Sequence, residues 1–249
     1  MLSKLKKLKK RFLAKKYIIK HEHVFRDEVR YMYVDKKTDA LLIVFSAFTG
    51  EKRLYNYFSQ FSKLSISQLY ILDTWAEKGS YYWFENGENR PEMLVSDLIS
   101  SLCHNHGIKN IVTAGTSKGG SAAIYFGLKH DATDIFSGAC QYRIGTYLYR
   151  EKHRDIFFSM MGNQDIDNSI NRLNEKIENM IIEKQKEHGL IHLFYSRCEL
   201  TYERQIVPLI NDLKKYKYQF EEEICDFPKH DDVGLFFPSY LIHELDCFK

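Results

Sequence analysis

Residues 111–128 read IVTAGTSKGGSAAIYFGL: a β-branched apolar run, the cluster Gly115-Thr116-Ser117-Lys118-Gly119, and then an alanine-rich apolar stretch. A strand that ends in a Gly-x-Ser-x-Gly bend and feeds straight into a helix meets the requirement of a nucleophile elbow, where a tight turn lifts the serine hydroxyl above the sheet edge. Gly115 and Gly119 carry no Cβ at the point where strand and helix must come close. The start of the helix turns N–H groups and the positive end of its dipole toward charge that develops beside Ser117. A glycine-rich turn used for packing or for phosphate is the rival reading, although the GxxxxGK[ST] order of a phosphate loop is absent.

Outward from the elbow, short apolar runs recur at residues 29–34, 40–45, 69–72, 110–114, 134–137, 190–195 and 218–225. Helical periodicity occupies 52–62, 92–106, 118–129, 165–188, 202–215 and 235–248. This alternation predicts an α/β fold, a mostly parallel sheet with helices on both faces, and the elbow makes it α/β-hydrolase-like. The first two strands are expected to form an antiparallel edge. With 249 residues, four prolines and no Ser/Gly-rich linker, one domain over 23–249 follows, preceded by a basic segment at 1–22. Residues 142–188 read either as a cap inserted over the site or as an ordinary crossover helix with a solvated face.

A composition of 44% hydrophobic and 28% charged residues is that of a folded protein. Residues 1–20 hold nine Lys or Arg and no acid, leaving 27 of the 36 basic residues against all 33 acidic ones in a mildly acidic body. Nucleic acid is therefore not an expected partner. Leu2, Leu5, Leu8 and Phe12 lie at near-helical spacing among those lysines, which suits either a solvated basic helix or an amphipathic segment on an anionic membrane surface. No apolar run is long enough to span a bilayer. Five cysteines without CxxC spacing argue against a disulfide framework and a zinc site, and point to reduced thiols in the cytoplasm.

A serine hydroxyl needs a histidine base, and that base needs an orienting carboxylate. In this fold the chain order is serine, acid, histidine. Of the downstream histidines, His230 in FPKHDDVG follows the final predicted strand, whereas His192 and His243 fall inside elements and His130 and His153 come early. The acid belongs after LIHLFYS, where RCELTYER offers Glu199 and, less aptly, Glu203 at a helix start. The N–H of Lys118 and that of Ala47 or Phe48, in SAFTG, are candidate oxyanion donors. Weaker candidates for substrate binding are Trp75, Lys78, Tyr81 and Tyr82 in LDTWAEKGSYYW, which read equally as core. Arg143, Arg150 and the Lys118 side chain read as rim or plain surface charge. His104 and His106 lack a carboxylate partner and read as a helix end, and no metal is expected.

In the stretches FSAF (45–48), LDTWAEKGSYY (72–82), GTSKGGSAA (115–123), the strand ending at Glu199 and KHDDVGLFFPSYL (229–241), the chain resembles capsular polysaccharide O-acetyltransferases of the meningococcal serogroup A type. The resemblance implies acetyl transfer from acetyl-CoA to a polysaccharide hydroxyl, with Ser117 as nucleophile, His230 as base and Glu199 as acid. It departs at the acid, where aspartate is commoner, and in the first 20 residues. An esterase or thioesterase with the same three residues, and a non-catalytic scaffold of a capsule assembly, are the rival readings.

Overall fold

A computed structural model describes residues 12, 14–48, 54–76, 78–163, 165–184 and 189–246. Eight strands, β1 (Glu22–Phe25), β2 (Val29–Val34), β3 (Ala40–Phe45), β4 (Ser67–Ile71), β5 (Asn110–Thr116), β6 (Asp134–Gly138), β7 (Leu190–Tyr195) and β8 (Phe220–Ile224), form one sheet. Their order is β1-β2-β4-β3-β5-β6-β7-β8. β1 and β2 run antiparallel to their neighbours, and every other pairing is parallel. Helices α1 (Phe58–Phe61), α2 (Arg90–His106), α3 (Lys118–Lys129), α4 (Ile144–Tyr147), α5 (Arg154–Met161), α6 (Ile166–Glu183), α7 (Val207–Lys215) and α8 (Val233–Leu245) cover the sheet.

The period-two alternation of the strands divides the core. Leu41, Ile43 and Phe45 of β3 pack on one face with residues of α2, α3, α6 and α7. Leu42 and Val44 pack on the other with α1 and α8, through Phe61, Phe237 and Leu241.

Three sequence expectations are corrected. β3 does not pair with β2: five of its six residues are buried, so it takes a central place, while the half-buried β2 sits outside β4. The true edge partner is β1, EHVF, which is too short and too polar to register as an apolar run. Of the helix expected at 52–62, the described residues hold only α1, preceded by Tyr57 at φ 61°. The short helices α4 and α5 were not anticipated. Most of the basic segment at 1–20 lies outside the described residues; residues 14–20 are helical.

A buried carboxylate ties the outer layer together. Glu92 of α2 accepts hydrogen bonds from Tyr125 Oη and Lys129 Nζ of α3 and from Lys176 Nζ of α6, each at 2.5 Å. Burial by itself would raise its pKa, but the Lys176 charge and the three donors outweigh that and hold it below the ordinary 4.5. A depressed folded pKa contributes stability that is complete above the ordinary carboxylate value and is lost as pH falls below it. Glu92→Gln is accordingly expected to destabilise the fold by about 2–3 kcal/mol at neutral pH, with a smaller difference in acid, as read from urea unfolding at two pH values.

Candidate active site

Six loops leave the carboxyl ends of the parallel strands β3, β4, β5, β6, β7 and β8, the edge on which sites form in open α/β sheets. They carry Ala47 and Phe48, Asp73, Ser117, Gln141, Glu199 and His230 in that order. Ser117 stands between β5 and α3 at φ 53°, ψ −124°, a conformation that costs a non-glycine residue on the order of 1–3 kcal/mol. The bend is possible only because its flanks are bare. A Cβ on Gly115 would lie 2.3 Å from the Gly119 carbonyl, and one on Gly119 would lie 2.3 Å from the Phe45 oxygen.

His230 Nε2 lies 2.7 Å from Ser117 Oγ, and His230 Nδ1 meets Glu199 Oε1 in a short hydrogen bond. With its proton on Nδ1, donated to the carboxylate, the imidazole presents Nε2 as acceptor for the serine hydroxyl. Glu199 is buried and is also held by the Thr201 hydroxyl. Glu203 is exposed, in the π-helical turn that leads into α7, and it is Glu199 that meets His230. Three residues far apart in the chain thus meet in one line of hydrogen bonds, the geometry that a nucleophile, a base and an orienting acid require.

The fold has counterparts among solved structures. The capsule O-acetyltransferase of Neisseria meningitidis serogroup A superposes with a TM-score of 0.78 at 19% identity, over 90% of this chain and 94% of that one. A mutant of that enzyme in complex with CoA gives 0.77 at 20% identity. A glycosylation-associated protein complex from Streptococcus agalactiae gives 0.73 at 20%, covering 90% of this chain and 46% of that one. An S-formylglutathione hydrolase from Agrobacterium tumefaciens gives 0.65 at 12%, over 90% and 93%. The chain has the α/β-hydrolase fold. No protein-family profile matches it, nor does any curated protein sequence.

Two cavities meet at the triad. One, of about 290 Å³, is lined by Ser117 and His230 with Ala47, Phe48 and Asn56. The other, of about 760 Å³, is lined by Glu199 and His230 with Arg150, Arg204 and Lys229. Tyr147, His153, His230 and Asp231 border both. Tyr147, Arg150 and His153 therefore wall the site, whereas α6 packs on the helix layer, so close to α4 that a Cβ on Gly145 would strike the Ile170 oxygen. His153, passed over in the sequence as too early, stacks on Phe48 at 6.0 Å.

Several weaker candidates are relocated. Lys118 is not surface charge: its side chain is 2% exposed, and Nζ donates to Asp73 Oδ2 at 2.7 Å while lying 4.6 Å from the Tyr82 ring centre. Trp75, Tyr81 and Tyr82 are core residues rather than a stacking platform, and Tyr82 Oη is held between the Ser46 N–H and the Ile71 carbonyl. Arg143 is bound by Glu178 of α6 and Asp212 of α7, away from both cavities. Lys78 pairs with Asp155 of α5 on the surface. The Ala47 N–H already donates to Asn56 Oδ1 at 3.0 Å.

His192 stacks on Phe136 and pairs with Asp134, and His104 and His106 close α2. Burial raises the Cys140 thiol to about 11, so it does not compete as a nucleophile. Among the described residues no cluster of three or more His, Cys, Asp or Glu is placed to hold a metal. No described helix is long and apolar enough to cross a membrane. Asp73 and Gln141 escaped the sequence reading, although each follows a predicted strand at its carboxyl end.

Proposed function

We propose that the protein is a serine-dependent O-acetyltransferase that moves an acetyl group from acetyl-CoA to a hydroxyl of a capsular or surface polysaccharide. The observation that carries this reading is the Ser117–His230–Glu199 chain of hydrogen bonds at the mouth of two joined cavities. Its likeness to a capsule O-acetyltransferase, one form of which binds CoA, supports the choice of donor and acceptor.

In the first half-reaction Ser117 Oγ gives its proton to His230 Nε2 and bonds to the thioester carbon. The oxyanion is met by the Lys118 N–H and by Ala47 or Phe48, the former once Asn56 yields its hold. The C–S bond then breaks, and the thiolate takes the proton from His230. In the second half-reaction the sugar hydroxyl gives its proton to His230, attacks the acetyl-serine and expels Oγ, which is reprotonated. Arg150, Arg204 and Lys229 make the larger cavity suitable for the phosphates of CoA. Of the segment 142–188, Tyr147, Arg150 and His153 are the residues that cap the site.

The basic first 20 residues would bring a cytoplasmic enzyme to the anionic inner face of the membrane, where a capsule complex assembles. Structural neighbours that are hydrolases favour a second reading, in which water replaces the sugar at the same triad.

Following CoA release and polymer acetylation together separates these readings. Release that depends on a capsule polymer and labels it is the expected result. Acceptor-independent release would make the protein a hydrolase, and no release with any acyl donor would leave a scaffold.

A further inference from the structure

The nucleophile touches a fourth residue. Gln141, three residues beyond β6 and 1% exposed, places Nε2 3.1 Å from Ser117 Oγ. Its side-chain oxygen and its backbone are both held. Tyr81 Oη donates to Oε1 at 3.2 Å, Ser121 Oγ donates to the Gln141 backbone carbonyl at 2.7 Å, and the Gln141 backbone N–H meets the same Ser121 Oγ at 3.0 Å. Ser121 belongs to the first turn of α3, so the clamp and the elbow form one rigid unit.

Counting protons decides which way the amide faces. The serine has one hydroxyl proton, and the triad requires it on the path to His230 Nε2. A glutamine oxygen turned toward Oγ would draw that proton away and would leave Tyr81 Oη, fully buried, facing an NH₂ group with its own proton unplaced. With the NH₂ toward Oγ, the Tyr81 hydroxyl proton has Oε1 as its acceptor and the serine proton stays on the path to His230. Gln141 then donates into the lone pair opposite the proton that leaves.

On this basis we propose that Gln141 is a catalytic residue of the acyl-transfer reaction, a fixed donor to Ser117 Oγ whose orientation Tyr81 sets. The inference rests on Ser117 being the nucleophile, as in the proposed function, but not on the identity of donor or acceptor.

Its effect follows the charge on Oγ. When Oγ surrenders its proton to His230 it gains negative charge, and the Gln141 hydrogen bond strengthens as the bond to the acyl carbon begins to form. Once Oγ is an ester oxygen it is a poorer acceptor, and the bond weakens. When the acceptor hydroxyl attacks and the Oγ–acyl bond breaks, the charge and the hydrogen bond return until His230 restores the proton. The same donor thus stabilises Oγ as nucleophile in one half-reaction and as leaving group in the other. Tyr81, read from the sequence equally as a substrate contact or as core, becomes a positioning residue acting through Gln141.

The test uses a fluorophosphonate probe, which phosphonylates an activated serine and needs neither CoA nor polysaccharide. The rate of covalent labelling of the full chain is measured for the native protein, Gln141→Met, Tyr81→Phe and Ser117→Ala, alongside thermal melting. Methionine keeps the length of glutamine and donates nothing. Gln141→Met is expected to label about 10²-fold more slowly, by analogy with the loss of one preorganised donor. Tyr81→Phe, which frees the amide without removing it, is expected to lose only several-fold, and Ser117→Ala all labelling.

Labelling of a folded Gln141→Met within twofold of native would overturn the proposal. Should that variant not fold, Gln141→Asn, whose shorter side chain cannot reach Oγ, is subject to the same criterion. If Tyr81→Phe were as slow as Gln141→Met while melting equally well, Gln141 would not be the group that acts. Native protein that labels but transfers no acetyl group would remove the acetyltransferase reading and leave this one standing, whereas native protein that does not label would remove both.

Discussion

Ser117→Ala is expected to lower the rate of CoA release in the presence of acceptor by about 10⁵-fold, down to the residual rate that binding and the oxyanion donors sustain alone. The substitution removes the atom that meets both His230 Nε2 at 2.7 Å and Gln141 Nε2 at 3.1 Å and leaves the backbone of the elbow in place. Alanine at φ 53° is strained as serine is, so melting should shift little and activity loss cannot be ascribed to unfolding. In the proposed mechanism the three triad residues act as a unit. His230→Ala is therefore expected to cost about 10³-fold or more by itself, and the double variant little more than Ser117→Ala. Full activity in Ser117→Ala, measured by thiol release and by label in the polymer, would end the case for an acyl-serine.

The second large effect concerns stability. Lys118→Ala is expected to destabilise the protein by about 3–5 kcal/mol in urea unfolding, because it leaves the Asp73 carboxylate buried without its cation. Among the described residues, Asp73 then keeps the Ser80 N–H at 2.7 Å and the Ser80 hydroxyl at 3.2 Å. The position admits no easy relaxation, since a Cβ on Gly79 would already lie 2.9 Å from Asp73 Oδ2 and 3.1 Å from Lys118 Nζ. Replacing both partners with apolar residues, Lys118→Met with Asp73→Leu, should recover much of the loss, as buried pairs are costly to break but not to exchange. A double-mutant cycle with no coupling between the two positions would refute this account. The pair also joins the loop after β4 to the first residue of α3, so the double variant separates the anchoring of the elbow from the charge itself.

How much of this was legible beforehand differs from residue to residue. The elbow could be read because all of it is local: an apolar run, two glycines and a serine, and a helix, within 18 consecutive residues. Glu199 and His230 could be read because strand period and chain order place them at the same sheet edge, even though the acid is a glutamate. The aromatic residues of LDTWAEKGSYYW could not be assigned, because burial and ligand stacking draw on the same side chains, and only packing shows Tyr82 closed against Ser46 and Ile71. Lys118 was misread for a related reason. A lysine looks exposed until the carboxylate that pairs with it, 45 positions away, is brought alongside.

What the sequence by itself determined is the set of local decisions: which segments are strands or helices, where the chain bends at Ser117, and which residue types could serve it. Hydrophobic period and glycine placement are properties of neighbouring residues, and they are present before the chain folds. The tertiary structure alone decided that β2 lies beside β4 rather than β3, that Asp73 neutralises Lys118, and that Gln141 faces the nucleophile with Tyr81 behind it. Those outcomes depend on which strands are buried on both faces and on contacts between distant residues, for which no local pattern exists.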